Sequence, residues 1–367
     1  MTRIVLAGCG HAHLAVVAKA AAFRARGLEL VLIDPGKFWY SGRGSGVLGG
    51  RFSESEATVD ARRLAEACGV AFVADAVIGL DRKACTVLLQ AGEPLRYDLV
   101  SFNIGSHVAV PEAFQSVGAR AVKPIASLPA LREEIAATTK RQRIIVVGGG
   151  ATGCEIAGNL LHLAKARNLS LSMTLVTAAG ELLPDAPQRL RHAALRSLGG
   201  RGGVIHLGDP VTSAEPGMLR LASGENLGFD RLILATGLMS HPLMNSFGLP
   251  VGPGGLRVGR TLQSTGDPRV FAAGDCADIA GRDLPKLGVY GVRAGAVLAE
   301  NLLAAAEGRA LADYVPQRRA LSIVDLADGS GLAMRGRFGF EGKAALAWKH
   351  WLDERFLHRY RRLYEIP

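Results

Sequence analysis

Two stretches of the sequence decide the fold: Arg143-Ile-Ile-Val-Val-Gly-Gly-Gly-Ala-Thr-Gly-Cys-Glu155 and, about 140 residues earlier, Arg3-Ile-Val-Leu-Ala-Gly-Cys-Gly-His-Ala-His-Leu14. Each reads as a short β-branched strand, a glycine-rich turn and the start of a helix. A second apolar strand follows each stretch, at Leu28–Asp34 and at Leu171–Thr177. The sequence therefore contains a β-α-β unit twice, and this unit is the mononucleotide-binding half of a doubly wound α/β domain.

Composition and charge agree with an α/β enzyme of about two domains. The chain has 367 residues, 49% of them apolar, with 46 glycines and only 6% aromatic residues. The formal net charge is +10, but the arginines are scattered and no nucleic-acid motif is present, so nucleic acid is not an expected partner. The five cysteines form no close pair, which fits a reducing compartment and gives no zinc spacing.

The order of the motifs predicts a first domain interrupted by a second. We expect an FAD-type domain over 1–126 and 254–320, an inserted NAD(P)H-type domain over 127–253, and a C-terminal region over 321–367. A Gly/Pro cluster at Gly252-Pro-Gly-Gly255 marks the return to the first domain. No apolar run reaches the roughly 18 residues of a membrane span, so a cytoplasmic location is expected.

The second glycine loop is the stronger nucleotide signal. Gly148, Gly150 and Gly153 fit G-x-G-x-x-G directly after a strand and at the start of a helix. The first glycine permits the turn, the second admits a pyrophosphate, and the third lets the helix pack closely on the strand. An alternative is that these glycines serve packing alone.

The first loop departs from the pattern at one position. Gly8 and Gly10 fit, but His13 stands at the third glycine, which predicts a helix that is displaced or starts later. Asp34 ends the second strand, where a carboxylate can bind ribose hydroxyls. In the second domain Thr177 takes that place, so the choice between NADH and NADPH stays open.

Histidine and cysteine residues near the loops could bind a metal or act as a reactive thiol. His11 and His13 form an H-x-H pair, but without a third ligand nearby we expect capping or packing rather than metal binding. Cys154 stands at a helix start, yet without a partner thiol it is expected to be a small buried residue.

The C-terminal segment predicts an amphipathic helix over 343–364. Apolar residues recur there at helical spacing: Trp348, Trp351, Leu352, Phe356, Tyr360, Leu363 and Tyr364. Basic residues surround them, so we expect one aromatic face that contacts either the inner surface of a membrane peripherally or the protein's own core.

With Ala235-Thr-Gly237 and Gly274-Asp275 added to the two loops, the whole chain resembles the FAD-dependent pyridine nucleotide-disulfide oxidoreductase superfamily, which includes the type II NADH dehydrogenases. A closer resemblance is to a subfamily associated with selenide water dikinase. The residues that carry it are Gly10-His-Ala-His-Leu14, Tyr40-Ser-Gly42, Val122-Lys-Pro124, Val289-Tyr-Gly-Val-Arg293 and Trp348-Lys-His-Trp-Leu-Asp-Glu-Arg-Phe356.

The resemblance implies FAD and NAD(P)H as cofactors and assigns residues to them. The FAD residues are expected to be Gly8, Gly10, His11, Ala12, His13, Asp34, Val77, Gly105, Gly274 and Asp275. The nicotinamide cofactor is expected at Gly148, Gly150, Gly153 and Gly237. Lys123 and Tyr290 are candidate catalytic contacts near the flavin ring.

The predicted function is transfer of hydride from NAD(P)H to FAD and of electrons onward to a small-molecule acceptor. Type II dehydrogenases carry an Ala-Gln-x-x-x-Gln-type stretch beside the quinone, whereas this helix reads Tyr290-Gly-Val-Arg-Ala-Gly295, so the acceptor is open. The alternatives are a flavoprotein acting on a sulfur or selenium compound and a redox-sensing module that holds FAD without turnover.

Overall fold

A computed structural model describes residues 1–365, and it confirms the predicted fold class of two parallel, Rossmann-like sheets. The first stretch contains β1 (Arg3–Ala7), α1 (His11–Val17), α2 (Ala20–Arg24), β2 (Glu29–Ile33), β3 (Lys37–Trp39), α3 (Ser41–Leu48), α4 (Glu54–Ala57), β4 (Thr58–Asp60), α5 (Ala61–Cys68), β5 (Ala71–Val73), β6 (Val77–Asp81), β7 (Thr86–Leu89), β8 (Leu95–Arg96), β9 (Leu99–Phe102), β10 (Ser106–His107), α6 (Glu112–Gln115) and β11 (Arg120–Ala121).

The middle stretch repeats the strand–loop–helix order. It contains α7 (Leu128–Ala136), β12 (Gln142–Val147), α8 (Ala151–Ala166), β13 (Leu171–Thr177), α9 (Gln188–Gly200), β14 (Val204–Leu207), β15 (Val211–Glu215), β16 (Met218–Leu221), β17 (Asn226–Gly228), β18 (Arg231–Leu234), β19 (Met239–Ser240) and β20 (Val251–Gly252). The last stretch contains β21 (Gly255–Val258), β22 (Val270–Ala272), β23 (Ala277–Ile279), α10 (Gly288–Ala306), β24 (Ser322–Asp325), β25 (Gly331–Arg335), β26 (Phe338–Gly342) and α11 (Lys343–Arg361).

The chain leaves the first sheet and later returns to it. The first sheet has the parallel order β22-β9-β1-β2-β5, so its edge strand comes from the last stretch. The second sheet has the parallel order β11-β18-β12-β13-β14. Because β11 pairs into the second sheet and β20 pairs with β21, the predicted domain limits near 126 and 253 remain a proposal.

Each glycine loop lies where its sheet order reverses. The first loop follows β1, which is flanked by β2 and β9, and the second follows β12, which is flanked by β13 and β18. Ligands of open α/β sheets bind at such switch points, outside the carboxyl ends of the strands. The topology therefore places both loops where a dinucleotide can reach them.

The aromatic residues of the C-terminal helix α11 do not share one face, so the prediction of a single aromatic face was wrong. Tyr360 is 1% exposed and belongs to the core of the first sheet, together with Leu357, whereas Trp351 is 54% exposed. The Tyr40 hydroxyl donates to Asp353 on α11 at 2.9 Å. The helix thus has a core-facing side and an outward aromatic side, and removing it would open the core.

No helix among residues 1–365 is both long and apolar enough to cross a bilayer.

Candidate active site

One cavity of about 550 Å³ joins the two sheets. It is lined by nine of the predicted site residues: Gly8, Gly10, His11, Asp34, Val77, Gly105, Lys123, Gly274 and Asp275. On the other side it is lined by the first turns of α8, through Ala151, Thr152, Glu155 and Ile156. The first loop and the helix that follows the second loop, about 140 residues apart in sequence, therefore face one space. Gly148, Gly150 and Gly153 themselves are not among the described residues that line it.

The buried side chain of Asn103 fixes the first loop. Its Oδ1 accepts from the backbone N–H groups of Ala12 at 2.8 Å and His13 at 3.2 Å, and its Nδ2 donates to the carbonyl oxygen of Ala273 at 2.6 Å. A Cβ at Gly10 would collide with the backbone oxygen of Asn103. Sequence analysis missed Asn103, and only its place at the end of an apolar strand could have pointed to it.

His13 does not delay the start of the helix, which corrects that part of the expectation from its place in the motif. Helix α1 begins at His11, directly after Gly10, and the His13 ring is fully buried behind the loop. Its Nδ1 contacts the carbonyl oxygen of Gly8 at 2.5 Å and its Nε2 contacts the Ser101 hydroxyl at 2.8 Å. Burial lowers its pKa to about 4, so the ring is neutral at physiological pH.

Ala12 and His13 were predicted to contact FAD together with Gly8, Gly10 and His11, but the structure places them elsewhere. Both are buried, and neither is among the described residues that line the cavity. Their N–H groups are already bound by Asn103, so they brace the loop instead of facing a ligand.

Asp34 is positioned for the ribose role. Its Oδ2 accepts from the N–H of Cys9 and its Oδ1 from the N–H of Gly36, both at 2.8 Å. Each carboxylate oxygen keeps a second lone pair, and the residue lines the cavity. Burial raises the pKa of Asp34, although the two N–H groups oppose that shift.

Lys123, Ser106 and Asp275 form a hydrogen-bonded cluster in the cavity wall. The Lys123 ammonium donates to Ser106 Oγ at 2.7 Å and lies 3.3 Å from Asp275 Oδ2, and the Ser106 hydroxyl donates to the same oxygen at 2.6 Å. Burial would raise the pKa of Asp275, but Lys123 and Ser106 outweigh it and the pKa is lowered. Asp275 is therefore a stable anion here.

His11 is the other titratable group at this end. Burial lowers its pKa to about 4, with Lys123 acting in the same direction and Asp275 against it. Its ring packs edge-on to Phe38 at 4.8 Å between centroids and lies 5.5 Å from Phe356 of α11. The C-terminal helix thus contributes to the wall behind the first loop.

Tyr290, the second candidate catalytic residue, is not brought to this site. It is 7% exposed and lines a separate small cavity behind Asp275, with Tyr314 and Lys286. Among residues 1–365 the turn of α10 that reaches the large cavity does so through Gly288 and Gly291. Gly288 and Gly291 are three residues apart and lie on one face of the helix, whereas Tyr290 lies on another face and therefore does not reach the large cavity.

The second loop has the geometry that its glycines predict. A Cβ on Gly153 would collide with the carbonyl oxygen of Gly148, so glycine lets α8 pack against the turn. Gly150 is the N-cap of α8, and a Cβ added there would meet open space, which leaves the helix N-terminus free for an anion. Gly237 is not among the described residues that line the cavity, whereas its chain neighbour Leu238 is.

Glu155, which had no assigned role, is the most perturbed acid in the cavity. Its Oε2 accepts from the Ser45 hydroxyl at 3.1 Å and its Oε1 from the N–H of Asp325 at 2.9 Å. Burial raises its pKa to about 7, while Lys349 lowers it in part. The sequence could have indicated Glu155 in one way: it lies two residues after Gly153, the last glycine of the motif, in the first turns of α8.

Lys349 brings the C-terminal helix into the site. It lines the cavity at 7% exposure, donates to the carbonyl oxygen of Gly42 at 2.5 Å and pairs with Asp353 at 2.9 Å. Burial alone would lower its pKa, but Asp353 and Glu155 raise it above the usual value. Lys349 is thus a fixed cation near a titratable acid.

These features fit FAD and a nicotinamide dinucleotide. The close-packed Gly10 turn, the Asp34 carboxylate and the wall formed by Val77 and Gly105 suit the adenosine and pyrophosphate of FAD. Helix α10 begins at Gly288 in the cavity wall, where its dipole favours negative charge on a bound ring.

Two parallel sheets enclose a cavity that is lined by the first glycine loop, by a ribose-type carboxylate and by the start of the helix after the second loop. This arrangement defines a flavoprotein oxidoreductase with two dinucleotide sites. Residues 2–295 match the pyridine nucleotide-disulphide oxidoreductase family. The chain belongs to this family, which confirms FAD and NAD(P)H as its cofactors.

Relatives and solved structures agree with this membership. The chain is 30% identical over 211 residues to the type II NADH:quinone oxidoreductase of Haemophilus influenzae, covering 53% of this chain and 47% of that protein. It is 29% identical over 254 residues to human ferroptosis suppressor protein 1, covering 65% of each. The chain therefore spans about half to two-thirds of these relatives. The sulfide:quinone oxidoreductase of Aquifex aeolicus shares the fold, with a TM-score of 0.81 at 17% identity over 100% of this chain and 93% of that one.

Alanine at two glycines should separate the cofactors. Gly10→Ala should lose bound FAD, because its methyl group would strike Asn103. Gly150→Ala should fold and keep FAD, since the added group meets open space, but weaken NAD(P)H binding by about tenfold where a pyrophosphate approaches. The flavin-to-protein absorbance ratio and NAD(P)H titrations measure both. Full flavin content in Gly10→Ala would contradict the assignment of the first loop.

Proposed function

We propose that the protein passes electrons from NAD(P)H by way of FAD to a lipophilic small-molecule acceptor, of the quinone class, at a membrane surface. The observation that carries the proposal is the cavity bounded on one side by the first glycine loop and on the other by the first turns of α8, which follow the second loop. FAD, when bound, supplies the hydride-accepting and electron-donating chemistry. The protein's own residues bind, orient and manage protons.

Glu155 is the residue we assign to proton handling. With a pKa of about 7, its carboxyl group holds a proton near neutral pH and can release it. Ser45 and the Asp325 N–H hold the two oxygens in place, and Lys349 balances the charge that forms on deprotonation. Reduction of a quinone consumes protons, so an acid of this kind suits such an acceptor.

The C-terminal sheet formed by β24, β25 and β26 indicates where an apolar acceptor would enter. Ser322, Ile323 and Val324 of β24 line the cavity. In the same sheet, β26 carries the exposed aromatic residues Phe338, at 79%, and Phe340, whose ring stacks on Trp348 at 6.4 Å between centroids. The strand in the cavity wall and the strand with the exposed aromatic residues are therefore separated by β25 alone, and we infer that an apolar acceptor enters from this side.

Four exposed aromatic residues of β26 and α11 form a surface that we call the aromatic patch: Phe338, Phe340, Trp348 and Trp351. Its composition is that of a membrane-contact surface. Exposed basic side chains surround it at Arg335, Arg337, Lys343 and Arg355. Aromatic rings beside cations match the interface of an anionic bilayer, so we propose peripheral attachment there.

A sulfur or selenium substrate is less well supported by the thiols. All five cysteines are free, and of these only Cys9 lines the cavity within the described residues. Burial raises the pKa of Cys9 well above its usual value, which keeps it protonated and weakly nucleophilic.

The closer subfamily resemblance remains part of this proposal. Four of its motifs supply residues to the cavity wall, namely His11, Gly42, Lys123 and Lys349, while a fifth contributes Gly291. Motifs that are scattered in sequence and meet at one site support a shared, specific substrate for that subfamily.

Anaerobic titration of the purified protein with NADH and then NADPH tests the proposal directly. Stoichiometric bleaching of the flavin by either nucleotide is expected, and the tighter titration identifies the donor. A flavin that stays oxidised with both nucleotides would exclude the proposed reaction and leave the binding-module alternative.

Replacing Glu155 by Gln should alter the acceptor half-reaction alone. Because the protonated form is the donor, wild-type turnover with a quinone should fall as pH rises through about 7. Glu155→Gln should remove that inflection and slow quinone turnover by about a hundredfold. The control is a one-electron dye such as ferricyanide, which needs no proton. An unchanged pH profile with quinone would show that Glu155 is not the donor.

Membrane attachment is tested by flotation with vesicles that contain phosphatidylserine. Trp348→Ala/Trp351→Ala should reduce binding by about tenfold or more while keeping the fold, because both rings are exposed. Arg335→Gln/Arg337→Gln should reduce binding and its salt dependence. Light scattering is the control, since a stable dimer would show that the aromatic patch is a subunit interface and would overturn the proposal.

A further inference from the structure

A second polar cluster lies away from the cavity, at the turn between β6 and β7. Cys85 occupies this turn with a φ of 53°, in the left-handed region that non-glycine residues seldom adopt. The Arg269 Nη1 lies 2.8 Å from the Cys85 sulfur. The backbone N–H of Tyr97, which follows β8, donates to the Cys85 carbonyl oxygen at 2.9 Å, so the two residues are neighbours in space. The sulfur thus has a cation on one side and a tyrosine near it.

The charges of this cluster leave room for an anion. Arg82 and Arg269 both bind one carboxylate, that of Asp267, at 3.2 Å and 3.1 Å. Apart from the contact with Cys85, their other hydrogen bonds within residues 1–365 go to backbone carbonyl oxygens. Two guanidinium groups therefore share a single negative charge, and a negatively charged group on Cys85 would balance the second.

The hydroxyl of Tyr97 is an unused hydrogen-bond donor in the same place. Tyr97 is only 3% exposed, and its oxygen has no hydrogen-bond partner within the described part of the chain. Burial raises its pKa to about 12, and Asp267 and Cys85 add to the shift. A buried hydroxyl that donates to no acceptor costs free energy, so its presence calls for an explanation, and an acceptor added to the protein is one.

We propose that Cys85 is a site of oxidation to a sulfenate by hydrogen peroxide. The Cys85 thiol first loses its proton to solvent, and the thiolate attacks one peroxide oxygen, so that an S–O bond forms and the O–O bond breaks. The sulfur loses two electrons, and the departing hydroxide takes up the sulfenic proton to give a sulfenate and water. Arg269 pairs with the sulfenate charge and Tyr97 donates to its oxygen.

The other cysteines lack this setting. Cys9, Cys154 and Cys276 are buried, and burial raises the pKa of each thiol. Cys68 is half-buried like Cys85 and also has an arginine nearby, but Arg24 donates to the carbonyl oxygens of Cys68 and Gly69 instead of to the sulfur. Cys68 is therefore a matched control within the same chain.

The test treats the full-length flavoprotein with hydrogen peroxide and traps sulfenic acid with dimedone, followed by peptide mass spectrometry. The Cys85 peptide should acquire the adduct about tenfold faster than the Cys68 peptide, the effect of one hydrogen bond to a charged group. Cys85→Ser should lose that adduct and keep normal flavin reduction by NAD(P)H, because the cluster lies outside the cavity lining.

Tyr97→Phe is the decisive variant. It removes only an oxygen whose hydrogen bond is unmet, so the fold should persist, as circular dichroism can verify. Adduct formation at Cys85 should fall about tenfold while that at Cys68 stays constant. Labelling of Cys85 no faster than Cys68, or equal labelling in Tyr97→Phe and wild type, would overturn the proposal.

Discussion

The carboxamide of Asn103 is the constraint on which the first nucleotide site depends. It binds the start of α1 through Ala12 and His13 and the end of β22 through Ala273, so it joins three segments that are about 90 and 170 residues apart. All three meet at the carboxyl edge of the first sheet. The segment Gly274–Asp275 comes directly after Ala273, so the same amide sets the position of the Asp275 anion relative to the first loop.

This arrangement explains why the loop tolerates a histidine in place of its third glycine. Glycine at that position serves close helix–strand packing, as Gly153 does in the second loop. In the first loop the His13 ring fills the space and satisfies both of its nitrogens, with Gly8 and Ser101 as partners. A buried imidazole with both nitrogens bonded avoids the cost of an unmet polar group, about 1–3 kcal/mol each. The two loops thus reach one backbone path by different packing.

Local patterns in the sequence predicted the sheets, the loops and the ribose carboxylate, because each is encoded within about 30 residues. What the sequence could not supply is which distant side chains share a wall. Glu155 of α8 meets Lys349 of α11 almost 200 residues later, and the phase of α10 turns Tyr290 away from the cavity. Hydrophobic spacing on α11 likewise identified apolar positions without showing that Tyr360 and Trp351 face opposite surroundings.

The pKa values of two cavity acids, Asp275 and Glu155, are shifted in opposite directions, and this divides the chemistry between the two ends of the cavity. Burial acts on both, yet Asp275 keeps a lowered pKa because Lys123 and Ser106 bind it directly. For Glu155 burial prevails and the pKa reaches about 7, because Lys349 directs its hydrogen bonds to Gly42 and Asp353. A pair of carboxyl groups separated in this way is typical of sites that need one permanent charge and one proton donor. The C-terminal helix, by committing Lys349 to Asp353, is what leaves Glu155 titratable.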